Sequence, residues 1–360
     1  MTEPNRDIAQ NVALQHGHFG PRPLPLFLDM LRRETAASPD RAAAALAGLR
    51  RYQEAPRARR RLPPIRYRKG PGRLRDGAKG SDAAPVVLIP SLINPPFVLD
   101  LAPGRSLLAH LAASGLHPWL LDWGTPRARD AGLDLAGHVT QRLLPLLARL
   151  DRPPLLVGYC LGGTLALAAA AALPPGAVAG VATVAAPWRF DGYGAAARTA
   201  LAELWAQAAP GCRALGVLPM EVLQTAFWQV DAARTVAKYA AFATMPPRAA
   251  ADFVLLEDWA NGGAPLTYAA GAELFEALLD ADRPGTGTWQ VAGRVVDPYA
   301  LRCPTIEFVS RTDRIVPAAT AIGLRDRRDV GAGHVGMVVG SRARDLLWDP
   351  LTEWLRSVAG

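Results

Sequence analysis

A chain of 360 residues, 50% hydrophobic and 20% charged, can bury a sizeable core, which excludes wholesale disorder and suits one large α/β domain carrying an insertion. The net charge of +8 is uneven: residues 1–80 hold 17 Lys or Arg against 7 Asp or Glu, while the rest of the chain holds 23 against 25. The basic character therefore belongs to the N-terminal segment, and a chain with only Lys69, Lys79 and Lys238 as lysines carries an Arg bias more typical of genomic composition than of a dedicated anion site.

Residues 1–80 read as a basic N-terminal extension, partly helical and partly linker. Met1 to Gln15 is polar and shows no apolar core of a signal peptide. After Pro21-Arg22-Pro23, the run Leu26 to Leu31 suits a short helix, and Pro39-Asp40 opens an Ala/Leu-rich one to about Tyr52. Arg50 to Lys79, with 12 basic residues and 2 acidic ones, has the composition of a solvated linker.

From Pro85 short apolar runs alternate with helical patterns, the signature of a mainly parallel sheet flanked by helices. The strands are expected at Val86–Pro90, Trp119–Trp123, Pro154–Tyr159, Val178–Ala185, Thr305–Ser310 and, more weakly, Arg328–Val330. Helices are expected at Ser106–Ala113, Leu135–Leu150, Leu161–Leu173 and Arg344–Val358. The most apolar stretch, residues 164–187, is broken by Pro174-Pro175-Gly176, so no transmembrane segment is expected. Residues 190–296 break the rhythm and read as a mostly helical cap inserted between core segments 81–189 and 297–360. Cys160, Cys212 and Cys303 are too scattered for a disulfide framework or a metal site, which points to the cytoplasm.

Gly158-Tyr159-Cys160-Leu161-Gly162-Gly163 stands between a buried strand and an apolar helix, the context of the nucleophile elbow of the α/β-hydrolase fold. A sharp strand-to-helix turn needs small neighbours, which Gly158, Gly162 and Gly163 supply, and it lifts the thiol over the first helical N–H groups. By itself the turn also fits a buried structural cysteine. Two partners favour chemistry. Asp313 follows the strand Thr305–Ser310, and His334 lies in the glycine-bracketed run Gly331-Ala332-Gly333-His334-Val335-Gly336, so nucleophile, acid and histidine come in the chain order of this fold. His16 and His18 lie in the extension, and His110, His117 and His138 suit surface or satisfied-core roles. An oxyanion hole would take the N–H of Leu161 and one more from Ser91, Leu92 or Ile93, since Pro90, Pro95 and Pro96 cannot donate. Cys212 and Cys303 read as packing thiols, and Asp122 and Asp297 as turn organisers.

Five segments also stand in the order seen in polyhydroxyalkanoate synthases: Ile93 to Leu101, Asp122-Trp123-Gly124-Thr125-Pro126, Gly158 to Thr164, Asp313 to Pro317 and Gly333-His334-Val335. The chain resembles that family over residues 85 to 357, and its length and Asp-Trp-Gly-x-Pro form are most similar to the class III catalytic subunit, which works with a second subunit. Arg314 stands where the family usually has His. The resemblance implies an acyltransferase that polymerises 3-hydroxyacyl-coenzyme A, with Cys160 as thiol nucleophile, His334 as general base and Asp313 as its partner, also able to assist the 3-hydroxyl group. It implies no cofactor beyond the coenzyme A thioester, a second subunit or a homodimer, and a cytoplasmic protein that associates with polymer granules. The same motifs fit a cysteine hydrolase of thioesters, lactones or polyester, and a non-catalytic granule-binding scaffold is a third reading. The basic extension suits a solvated tail first, a surface arm for anionic partners second and nucleic acid least, since no recognition module accompanies the charge. The cap's Trp205, Trp228 and Trp259 suit water exclusion or ordinary packing.

Overall fold

The computed structural model describes residues 20–57 and 60–360; Met1 to Gln15, His16 and His18 lie outside them. Eight strands form one sheet: β1 Ile65–Lys69, β2 Gly72–Asp76, β3 Pro85–Ile89, β4 His117–Asp122, β5 Leu155–Tyr159, β6 Gly180–Val184, β7 Thr305–Ser310 and β8 Arg327–Val330. Their order is β1-β2-β4-β3-β5-β6-β7-β8, parallel from β4 to β8 and antiparallel at β1–β2–β4. Strands β3 to β6 are buried along their whole length, as parallel strands covered on both faces must be. The chain crosses from β3 outward to β4 and then returns to β5 on the other side of β3. That reversal opens a crevice at the carboxyl ends of β3 and β5. This is an α/β-hydrolase fold.

The crossover helices begin where local chemistry allows. Ser106 Oγ accepts from Ala109 N–H at 2.8 Å to start Leu107–Ala113, and Asp134 Oδ1 accepts from Gly137 N–H at 2.6 Å to start the helical run 135–147. Val139–Leu143 forms a π-type turn inside that run, just before Pro145, whose missing N–H cannot extend a regular ladder. The helix Leu161–Ala172 is Ala-rich and almost wholly buried beneath the sheet's centre.

One expectation is corrected. The stretch from Arg50 to Lys79 is not a solvated linker: helix Pro39–Glu54 occupies its start, and β1 and β2 form a hairpin paired to β4. Its basic residues alternate with apolar ones, so Leu74 faces the core while Arg73 and Arg75 reach Asp122 of β4, Arg75 Nη2 at 2.8 Å. Residues 20–57 and 231–261 make one compact unit, and residues 60–230 and 262–360 another, so the insertion is divided between them.

In the smaller unit, helices Leu24–Glu34, Pro39–Glu54, Ala232–Phe242 and Pro247–Ala260 enclose an aromatic core of Phe27, Tyr52, Tyr239, Phe242 and Phe253. Gly48 lets Pro39–Glu54 approach Tyr239 so closely that a Cβ there would lie 1.8 Å from the Tyr239 carbonyl oxygen. In the larger unit, Trp205 stacks on Phe275 at 5.1 Å and donates to Glu276, so this tryptophan packs the insertion rather than roofing the crevice. Among the described residues no helix is long and apolar enough to cross a membrane.

Candidate active site

Strand β5 delivers Cys160 to the crevice and the helix Leu161–Ala172 starts at once behind it. The turn forces Cys160 to φ 56° and ψ −135°, a conformation a non-glycine residue adopts only when its surroundings impose it. Those surroundings are tight. A Cβ on Gly158 would sit 2.4 Å from Gly163 Cα, and one on Gly162 would sit 2.1 Å from the Ile89 carbonyl oxygen. Cys160 N–H donates to Val184 O at 2.9 Å, tying the elbow to β6, and the side chain remains partly exposed.

Asp313, in the loop after β7, and His334, in the loop after β8, are brought together: His334 Nδ1 lies 2.5 Å from Asp313 Oδ2. The other carboxylate oxygen accepts from Ile315 and Val316 N–H at 2.7 and 2.9 Å, which fixes the acid's direction. Tyr159 packs its ring 4.9 Å from the imidazole and donates its hydroxyl to the His334 carbonyl at 3.2 Å. With Nδ1 directed to the acid, Nε2 is the ring nitrogen left for the thiol of Cys160. Burial opposes the imidazolium, but the charges of Cys160 and Asp313 and the hydrogen bonds to both outweigh it and push His334 up to about 10. Imidazole and carboxylate thus form a bonded pair, and the charge of Cys160 is felt at the imidazole.

The loop after β3 is shaped by its own serine: Ser91 Oγ accepts the Ile93 N–H at 3.1 Å. Trp123 steadies this loop through Nε1–H to the Pro90 carbonyl at 3.0 Å, a role that the Asp-Trp-Gly motif did not disclose by itself. Asp122 accepts from Gly124 N–H and Asp297 from Tyr299 N–H, as turn organisers do.

Of the other described histidines, His117 bonds Asp76 at 2.8 Å and His138 the Asp134 carbonyl at 2.7 Å, while His110 lies 3.3 Å from Asp349 with its buried Nε2 making no hydrogen bond. Burial raises the thiols of Cys212 and Cys303. Among the described residues no group of three His, Cys, Asp or Glu side chains is arranged to hold a metal ion.

One neighbour of the site had no sequence signal. Tyr193, at the end of the turn Phe190–Tyr193 that follows β6, is half-buried, and its phenol is raised first by burial and then by the charges of Cys160 and Asp313. A single tyrosine in a loop has no periodicity to mark it.

No family model matches the chain. In sequence it is similar to poly(3-hydroxyalkanoate) polymerase subunit PhaC of Haloferax mediterranei, 27% identical over 286 residues (75% of this chain and 58% of the relative). PhaC of Synechocystis sp. is 24% identical over 303 residues (75% and 77%), and PhaC of Allochromatium vinosum 24% over 300 residues (78% and 82%). The chain spans 58% and 60% of the length of the Haloferax mediterranei and Haloarcula marismortui relatives. Among solved structures it is similar to the esterase RhEst1 from Rhodococcus sp. ECU1013 (18% identical, 80% of this chain and 95% of that one, TM-score 0.49) and the esterase EaEST from Exiguobacterium antarcticum (16%, 79% and 96%, TM-score 0.49). Its own sheet order and its distant homology relate the chain to α/β-hydrolase-type enzymes of the wider PhaC superfamily.

Proposed function

We propose that this chain is an acyl-transfer enzyme that carries its acyl group as a thioester on Cys160. The observation that supports this most is a cysteine, not a serine, at a strained elbow, in a chain that also bonds His334 to Asp313. An imidazolium beside the sulfur favours the thiolate, the form that attacks a carbonyl. Attack on an acyl thioester forms the Cys160 S–C bond, and the oxyanion is held by Leu161 N–H with Ser91 or Leu92 N–H. As the old thioester bond breaks, His334 gives its proton to the departing thiolate. Neutral His334 then takes the proton of an incoming hydroxyl, the oxygen attacks the acyl carbon, and the Cys160 thiolate leaves to restore the pair. Asp313 holds the imidazole's direction throughout. Exchange between thioesters is nearly isoenergetic, which is the physical reason to use sulfur for a thioester substrate.

The acceptor separates two readings. The resemblance to PhaC subunits supports a 3-hydroxyacyl hydroxyl and hence polymerisation of 3-hydroxyacyl-coenzyme A, with a second subunit or a second copy of the chain, and a granule surface, as partners. Hydrolysis is the second reading, and the partly exposed Cys160 favours it, because a site open to water offers water as the acceptor. One experiment tests both. Incubation with 3-hydroxybutyryl-coenzyme A is expected to release coenzyme A and to leave an acyl adduct on Cys160 by intact-protein mass spectrometry, and both are lost in Cys160→Ala. Oligomeric ester product supports polymerisation, free acid alone supports hydrolysis, and turnover by Cys160→Ala overturns the acyl-enzyme.

A further inference from the structure

The loop that carries His334 has little packing of its own. A Cβ on Gly331 would meet nothing within 4 Å, and one on Gly333 only the Thr312 carbonyl oxygen at 4.0 Å. The strand before it, β8, is four residues long, lies at the edge of the sheet and is exposed at Arg327, Arg328 and Asp329. Yet the imidazole has to meet the carboxylate of Asp313 at 2.5 Å, and a side chain is aimed no better than the backbone that bears it.

The partners of the loop's carbonyls show what fixes it. Val330 accepts from Arg311 N–H at 3.0 Å and Gly333 from Met337 N–H at 2.9 Å, both backbone bonds. Two further carbonyls accept from side-chain hydroxyls instead: Ser310 donates to Ala332, and Tyr159 donates to His334 at 3.2 Å. Each donor ends a strand beside a member of the site. Ser310 is the last residue of β7, three before Asp313, and Tyr159 is the last of β5, one before Cys160. Both are buried, and burial holds the Tyr159 phenol well above its usual range, so its hydroxyl keeps the proton it donates. One hydroxyl thus ties the histidine loop to the segment of the acid, and the other ties it to the segment of the nucleophile.

Resting on the reading that His334 exchanges a proton with Cys160, we propose that Ser310 and Tyr159 are positioning residues whose hydroxyls, through the carbonyls of Ala332 and His334, hold the histidine loop in register with both the acid and the nucleophile. They act through the backbone of the loop, not on the reacting atoms. Without either hydroxyl a loop carbonyl loses its donor, and the loop is drawn toward whatever donor it can reach by moving. Tyr159→Phe keeps the ring and its contact with the imidazole, and Ser310→Ala keeps the backbone pairing of β7, so each removes one donor and little else.

The test reads the imidazole directly and the thiol through it, in the full chain. Proton NMR follows the low-field resonance of the His334 Nδ1 proton shared with Asp313, and alkylation of Cys160 by iodoacetamide is measured against pH. In Ser310→Ala and in Tyr159→Phe the resonance is expected to broaden into exchange with water. Alkylation at pH 7 is expected to slow about fivefold, as the loss of one ordinary hydrogen bond would give, with its midpoint moved up toward that of an ordinary thiol. A purely structural residue would lower the unfolding temperature and leave resonance and midpoint where they are. An unchanged resonance and pH profile in either variant overturns the role of that residue, and in both variants overturns the proposal. A wild type that lacks the resonance overturns it too, since no held pair then exists. Failure of wild-type Cys160 to acylate with a thioester overturns the acyl-enzyme reading alone, because the resonance still decides whether the two hydroxyls position His334.

Discussion

His334 lies between two acids, and the direction of its shift sets how the site responds to pH. Its value in the folded chain, about 10, stands above the ordinary 6.5, so folding favours the protonated ring. That contribution is fully present below pH 6.5 and is lost as pH rises through about 10. Urea unfolding is therefore expected to show the wild type losing more stability between pH 6.5 and 10 than His334→Gln, and parallel losses would refute the assignment. Cys160→Ala removes one of the two charges that raise the imidazole, so an NMR titration of His334 is expected to move downward while the bond to Asp313 keeps it from full release. The thiol should register the same coupling. Alkylation of Cys160 by iodoacetamide at pH 7 is expected to slow about tenfold or more in His334→Gln, because the thiolate loses its counter-charge. An unchanged rate would mean that the imidazole does not sustain the thiolate.

The elbow works only because two elements meet at less than side-chain distance. Gly162 lies on the first turn of Leu161–Ala172, where a Cβ would need the space of the Ile89 carbonyl on β3. No flexible side chain can yield there, since the obstacle is backbone. Gly162→Ala is expected to cost about 3 kcal/mol or more in chemical denaturation, at or beyond the usual range for overpacking, and to abolish acylation of Cys160 as well. A variant of near wild-type stability would show that the turn has slack. This element was legible from residue types alone because glycine, nucleophile and glycine are each demanded by the turn. The strands β3 to β7 were legible for a related reason: burial on both faces makes each a short run of apolar residues, and expected and observed ends differ by at most two residues. The Ser91 Oγ bond to Ile93 N–H and the position of Tyr193 had no such signal: the first is a side-chain capture two residues away, and the second depends on distant bonds, Asp282 to Phe190 N–H and the Thr320 carbonyl to Trp188 and Arg189 N–H.

At the scale of the whole chain, charge proved a poor guide to boundaries. The run from Arg50 to Lys79 has a linker's composition, yet Ile65-Arg66-Tyr67-Arg68 and Arg73-Leu74-Arg75 alternate with the two-residue period of strands, and that period corresponds to a hairpin bonded to β4. The inner charges are spent on Asp122, whose side chain is only 9% exposed. The outer ones, Arg66, Arg68 and Lys69, are exposed along β1, which is the edge of the sheet. Charged residues on an exposed edge keep it from pairing with the edge of another molecule. The two sets are therefore expected to respond differently. Removing residues 1–80 strips β1 and β2, leaves β4, buried along its whole length in the intact sheet, as an open edge and deprives Asp122 of both guanidinium groups, so the product is expected to be insoluble. Replacing Arg66, Arg68 and Lys69 together with Thr leaves the hairpin's pairing and core contacts intact. Its thermal unfolding should follow the wild type within a few degrees, while light scattering detects aggregation at a lower protein concentration. Equal solubility of the triple variant and the wild type would show that these charges do not guard the edge and would leave their exposure on β1 without a physical role.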